Sequence, residues 1–250
     1  MTARWHRGHR RAVAVVATAL SLTASTPGTV ATTTAAAPHP HSVDCRTSRC
    51  VALTFDDGPT QYTNAVLDTL EHMHAVGTFF LIGPHALQYR ADVLREYRDG
   101  DAIGDHTVTH PHLTVLSRAR VGHETETAAR QIASVTGHRP TLFRPPFGAM
   151  DAHVREAAGA AGMAVVLWNL SPQDWKHHNA AYIDRAVLAR VRPGAIVVLH
   201  DRYATTPPAV PHLIAALRAR GYELVTVPQM FATSGGLRAG AVYHHGPAPS

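Results

Sequence analysis

Asp56 and Asp57 stand side by side at the end of Val51-Ala52-Leu53-Thr54-Phe55, an apolar, strand-favouring run, and Gly58-Pro59 turns the backbone directly after them. A buried strand ending in two acids presents them at the rim of a sheet or barrel. A desolvated carboxylate there costs several kcal/mol unless it is paired or bound to a metal. The competing reading is a turn whose acids cap the following helix. Other apolar runs end in the same way: Asp105-His106 follows Ile103-Gly104, Arg144 follows Phe143, a polar loop reaching Asp174-Trp175 follows Trp168, and His200-Asp201 follows Leu199. Five strands thus deliver acids, histidines or an arginine at their C-terminal ends, the face on which parallel barrels build active sites.

His106 and His110 have the four-residue spacing that suits a shared metal, but a chain with nineteen histidines makes such pairs by chance, so spacing alone proves nothing. Context adds weight. Thr107, Val108, Thr109 and Pro111 oppose a regular helix and leave a loop at a strand end. Two imidazoles and the carboxylate of Asp57 make a set that leaves positions open for water and substrate, as catalytic zinc requires. Arg144-Pro145-Pro146-Phe147-Gly148 is a rigid turn whose arginine can pair with a carboxylate, and which would otherwise read as a structural loop. For Asp174-Trp175 the plainer alternative is a surface turn with a half-buried tryptophan, and for His200 a capping or hydrogen-bonded histidine.

The elements that must position these groups alternate along the chain. Helical patterns are expected over Thr63 to Ala75, His85 to Arg98 (with Leu87, Val93 and Leu94 inward), from a Ser117 cap to Gly137, after Asp151, over Ala180 to Arg190, and around Val210 to Leu217. Strands are expected at Val51–Phe55, Thr78–Ile82, Ala102–Gly104, Thr141–Phe143, Met163–Trp168, Ala195–Leu199 and Glu223–Val227. This alternation predicts an α/β fold of about seven parallel strands with helical crossovers, best accommodated as an incomplete (β/α) barrel. Residues 233–250 lose periodicity and read as a loose tail.

The 250 residues suit a single core. Residues 1–37 combine Arg4, Arg7, Arg10 and Arg11 with an apolar stretch over Ala12 to Ala24 and small residues beyond it, the pattern of a removable export signal. That stretch is about 13 residues long, against the roughly 20 that a membrane-spanning helix needs. Removing the four arginines lowers the formal charge from +5 to +1, so the basic balance gives no reason to expect nucleic acid. Residues 38–48 read as a flexible linker before a domain over 49–232. Cys45 and Cys50, the only cysteines, are expected to pair in an oxidising exterior.

Thr54-Phe55-Asp56-Asp57-Gly58, His106-Thr-Val-Thr-His110, Arg144-Pro-Pro-Phe-Gly148, Asp174-Trp175 and Leu199-His200 resemble, in order and spacing, the motifs of the polysaccharide deacetylase family, the NodB-homology domain, over about residues 50–230. The family fold is a distorted, incomplete (β/α) barrel. The resemblance implies that Asp57, His106 and His110 bind zinc or another divalent cation such as cobalt, that Asp56 is the general base, and that Arg144 orients it. It implies an oxyanion site at the Phe147 backbone N–H and a leaving-group acid, His200, held by Asp174. Trp175 with Leu199 or Val198 would enclose the acetyl methyl. Phe147 stands where many members have tyrosine, Ser171 where the family often has an aspartate, and Val198 where leucine is commoner. The expected reaction is hydrolysis of the acetamide of N-acetylglucosamine units in chitin, chitooligosaccharide or peptidoglycan by a secreted monomer. Partners are then the acetylated glycan alone, with no nucleic acid and no stable membrane insertion. Acetylxylan O-deacetylation, a carbohydrate-binding pseudoenzyme and a histidine-rich metal-sequestering protein are the alternatives.

Overall fold

A computed structural model describes residues 43–249. The export signal and residues 38–42 of the expected linker lie outside the described residues. In chain order the elements are β1 (Cys50–Asp56), α1 (Thr63–His72), β2 (Thr78–Leu81), α2 (Gly83–Gln88), α3 (Arg90–Asp99), β3 (Ala102–Asp105), α4 (Arg118–Thr136), β4 (Leu142–Phe143), α5 (Ala152–Ala160), β5 (Ala164–Val166), α6 (Asp174–His177), α7 (Ala180–Leu188), β6 (Ala195–His200), α8 (Val210–Ala219), β7 (Glu223–Leu224), α9 (Val227–Phe231) and β8 (Val242–Tyr243).

All strand pairings are parallel, in the order β6-β1-β2-β3-β4-β5-β8, with β7 paired to the start of β1. Where β5 and β6 do not pair directly, Leu170 bridges to Val197, so the curled sheet is an irregular, incomplete barrel. The two faces of β1 explain why. Val51, Leu53 and Phe55 pack outward with Val66, Leu70, Val187 and Leu213 of the surrounding helices. Ala52, Thr54 and Asp56 point the other way, where Phe80, Leu142, Val166 and Ile196 join Ala52 in an inner cluster.

Several boundaries differ from the sequence expectation. The helix expected over His85 to Arg98 is two helices broken at Tyr89 (φ −107°, ψ 46°), and Leu87 and Leu94 are exposed while Val93 is buried. The last expected strand shortens to β7 because Thr226 caps α9, its side chain and that of Gln229 bonding each other's backbone N–H. The C-terminal stretch expected to be loose instead adds β8 beside β5, and Gly246 N–H bonds Gly194 C=O. A two-residue strand carries no periodic signal, and backbone pairing compensates for its lack of apolar pattern. From Val43 the linker is likewise folded. Cys45 and Cys50 are disulfide-bonded, Asp44 pairs with Arg46, and Thr233 hydroxyl donates to Asp44.

Gly104 shows how tightly the interior is filled. A Cβ there would lie 2.5 Å from the Phe80 ring and 3.1 Å from the Leu142 Cβ. Gly104→Val is therefore expected to lower stability by about 1–3 kcal/mol through overpacking, measured as a shift of the urea midpoint at unchanged m-value.

Candidate active site

The register places Asp56 beside His200 and Asp105 beside Phe143, so the C-terminal ends of β1, β3, β4 and β6 meet at one mouth. Asp56, facing inward, is met by Arg144. The guanidinium is fully buried and donates from Nη1 to Asp56 Oδ1 (2.7 Å) and Thr54 Oγ1 (2.7 Å), from Nε to Val166 C=O (3.0 Å), and from Nη2 to Leu167 C=O (3.1 Å). Its plane lies over the Phe80 ring, 4.0 Å from the centroid. Alternation along β1 would send Asp57 to the opposite face. Instead Asp57 adopts φ 73°, in the left-handed region disfavoured for a side chain with a Cβ, and both carboxylates line the same cleft.

Asp57 Oδ1 lies 3.5 Å from His106 Nε2 and 3.1 Å from His110 Nε2, and the three offer ligand atoms within 4.8 Å of one another. His106 Nδ1 sits 2.6 Å from the Arg144 C=O; a carbonyl only accepts, so Nδ1 carries the proton and the Nε2 lone pair faces Asp57. Burial works to raise the Asp57 carboxyl, whereas His106 and His110, when protonated on Nε2 in the metal-free protein, hold it well below the ordinary carboxylate range. Its Oδ1 is nonetheless buried without a well-formed hydrogen bond. An orphaned carboxylate oxygen opposite the His106 lone pair and the His110 Nε2 fits a divalent cation of the zinc type.

The loop joining the two histidines is held by a residue that motif reading missed. Glu124 of α4, almost fully buried, accepts from Val108 N–H (3.0 Å), Thr109 N–H (2.9 Å) and Thr109 hydroxyl (2.9 Å). The available signal was an acid lying on the apolar Val121/Ala128/Ile132 stripe of α4.

Opposite, His200 Nδ1 donates to Asp174 Oδ1 (2.9 Å). The other Asp174 oxygen accepts from the His200 N–H (2.7 Å) and Thr206 hydroxyl (3.1 Å). Burial alone would lower the His200 pKa. The Asp174 hydrogen bond and the negative charges of Asp174, Asp56 and Asp57 reverse this and raise it to about 9.

Asp56, Asp57, His106, His110 and His200 line one cleft of about 490 Å³ with Phe147, Trp168, Ser171, Gln173, Trp175, Val198, Arg202 and Tyr203. Phe147 has φ 60°, and its exposed ring stacks on His112 at 4.0 Å and meets the His110 ring edge-on at 4.7 Å. Val198 lines the cleft and Leu199 does not. Successive residues of β6 face opposite ways, so Leu199, fully buried, joins the outer core while Val198 and His200 face the mouth. Trp168, Arg202 and Tyr203 escaped sequence reading because they fall outside the recognisable motifs.

A sequence profile described as polysaccharide deacetylase matches residues 44–166. The chain is 35% identical over 193 residues to the peptidoglycan-N-acetylglucosamine deacetylase PgdA of Listeria monocytogenes, covering 77% of this chain and 41% of that protein. It is 37% identical over 203 residues to a chitooligosaccharide deacetylase of Bradyrhizobium sp., covering 75% and 93%. A solved structure described as T48 deacetylase with substrate superposes with a TM-score of 0.77 at 38% identity, covering 80% of this chain and 99% of that one. The parallel barrel with a two-histidine, one-carboxylate cluster at its mouth defines the class, and the chain belongs to the polysaccharide deacetylase family. It spans about two fifths of the length of the Listeria relative.

Two measurements check this geometry. Glu124→Ala should weaken zinc binding by about 10- to 100-fold through the unanchored loop, read by chelator competition. In metal-free protein, His200 should titrate by NMR near 9, and Asp174→Asn should bring it down. Because the folded pKa is the higher one, the stabilisation from His200 is complete below about 6.5 and is lost as pH rises through about 9.

Proposed function

We propose that this chain is a secreted, metal-dependent deacetylase that hydrolyses the acetamide of N-acetylglucosamine units in peptidoglycan or chitooligosaccharide, giving a free amine and acetate. One observation carries the reading: the Asp57/His106/His110 cluster shares one cleft with a carboxylate locked by a buried arginine and a histidine locked by a buried carboxylate. The names of the relatives in Listeria and Bradyrhizobium agree with it.

Asp57, His106 and His110 would hold the ion, zinc or an alternative such as cobalt. A divalent ion so held supplies Lewis acidity, lowering the pKa of water toward about 7 and polarising a carbonyl. Asp56, with one oxygen fixed by Arg144, accepts the proton of the attacking water. The Phe147 N–H donates to the oxygen that gains charge as the carbonyl is attacked. His200, with its Nδ1 proton committed to Asp174, delivers its other proton to the departing nitrogen, which is too poor a leaving group to depart unprotonated. Trp175 and Val198 enclose the acetyl methyl, a fit worth about 1–3 kcal/mol against larger acyl groups.

Acetate release from chitooligosaccharide, peptidoglycan and acetylxylan, assayed side by side, tests this. The N-acetylated substrates should be turned over, with activity abolished by chelator and restored by zinc or cobalt. Asp56→Asn should keep its ion while losing about 10²- to 10⁴-fold in turnover, and His200→Ala should harm amide cleavage more than ester cleavage. Full turnover by Asp56→Asn, or release from acetylxylan alone, contradicts the proposal.

A further inference from the structure

Asp57 and Arg202 form a shared wall. On one side lies the catalytic cleft. On the other lies an open groove of about 440 Å³ lined by Thr60, Gln61, Tyr62, Ile82, His85 and Tyr89. We propose that this groove is a second sugar subsite and that Arg202 selects a pyranose bearing a carboxylate as the neighbour of the unit being deacetylated. The inference rests on the deacetylase reading and narrows its substrate class to glycans in which an anionic sugar adjoins the N-acetylated unit.

The groove offers two partly buried tyrosines alongside the exposed amide of Gln61. Aromatic faces with a few polar groups are what a sugar ring, apolar on its faces and polar at its rim, packs against. The pairing of charges is more specific. Within the cleft, Asp56 belongs to Arg144 and Asp174 to His200, each at 2.9 Å or less. Among the described residues Arg202 has only a longer pairing: its side chain is 49% exposed, donates from Nη1 to Asp57 Oδ2 at 3.3 Å, and otherwise lies near the Tyr203 ring with its guanidinium carbon 5.6 Å from the centroid.

Asp57 is the carboxylate that would be committed to the divalent ion, and its charge is then balanced without Arg202. The guanidinium sits at the border of the groove and, apart from the Nη1 bond to Asp57, turns the rest of its planar fork of N–H donors toward it, a shape that matches a carboxylate. Among the described residues lining the groove Asp57 is the only acid, so an incoming anion meets no other acidic wall from them. Two kinds of sugar carry the required group: one with a carboxylate on an ether substituent, as in muramic acid, and a uronic acid.

The test is calorimetric binding of zinc-loaded protein to three N-acetylated tetrasaccharides of equal length: neutral, muramate-containing and glucuronate-containing. Acetate release from the neutral one is followed in parallel. At low salt the wild type should bind at least one anionic oligosaccharide about 10- to 100-fold more tightly than the neutral one. Arg202→Gln should reduce that ratio to near one, and Arg202→Lys should restore part of it. A preference for both anions means that Arg202 reads the carboxylate itself, and a preference for one identifies its source. Equal binding of all three by wild type, or a ratio unaltered in Arg202→Gln, overturns the proposal. A shift in zinc affinity alone would assign Arg202 to balancing Asp57 and would likewise overturn it. Failure of acetate release from the neutral tetrasaccharide, with the binding ratio as expected, would instead overturn the deacetylase reading, because the ratio is read from binding and not from turnover.

Discussion

The buried ion pair between Arg144 and Asp56 is the constraint around which the interior is arranged. A guanidinium wholly removed from water must have its charge answered and its N–H groups bonded, and removing one partner of such a pair typically costs about 3–5 kcal/mol. Asp56 answers the charge, while Thr54 and the carbonyls of Val166 and Leu167 take three further hydrogen bonds. Those acceptors come from β1 and from the end of β5. The pair therefore ties together strands that lie four places apart in the sheet, and the Phe80 ring provides the floor beneath it. Arg144 also reaches the Asp57/His106/His110 cluster through its own backbone, since its carbonyl sets the His106 tautomer. One residue thereby orients the carboxylate of Asp56 and presents the His106 lone pair.

Around this pair, functional geometry depends on local departures from regular backbone. Asp57, Thr107, His110 and Phe147 all have positive φ without being glycine. Each such residue carries a cost of about 1–3 kcal/mol. Glu124, buried on α4, offsets this at the histidine loop by accepting three hydrogen bonds from it. At Phe147 the compensation is the ring stacked on His112 and meeting His110 edge-on. Rigid strands bring the site together, and these short strained links aim it.

Most of this was legible in the sequence. The alternation of apolar runs and helical stripes specified a parallel barrel, because a period of two or 3.6 reports which faces are buried. Acids, imidazoles and an arginine stood out because each follows the last apolar residue of a strand. Less legible was anything set by tertiary contact. Val198 and Leu199 are both apolar and adjacent, and only the pleat phase of β6 decides which one faces the cleft. The strand Val242–Tyr243 is too short to have a period, and Tyr89 breaks a helix through backbone angles that the local sequence does not announce. Arg202 lies two residues beyond His200 with nothing to mark it, because its role follows from the two cavities it separates.

The central claim is that three side chains from two strand ends create one cation site beside the Arg144–Asp56 pair. Anomalous diffraction at the zinc edge from zinc-soaked crystals tests it most directly. The account predicts one strong peak about 2.0–2.2 Å from an Asp57 oxygen and from the Nε2 atoms of His106 and His110. A dominant peak elsewhere, for instance at His244 and His245, with that position empty, would contradict it.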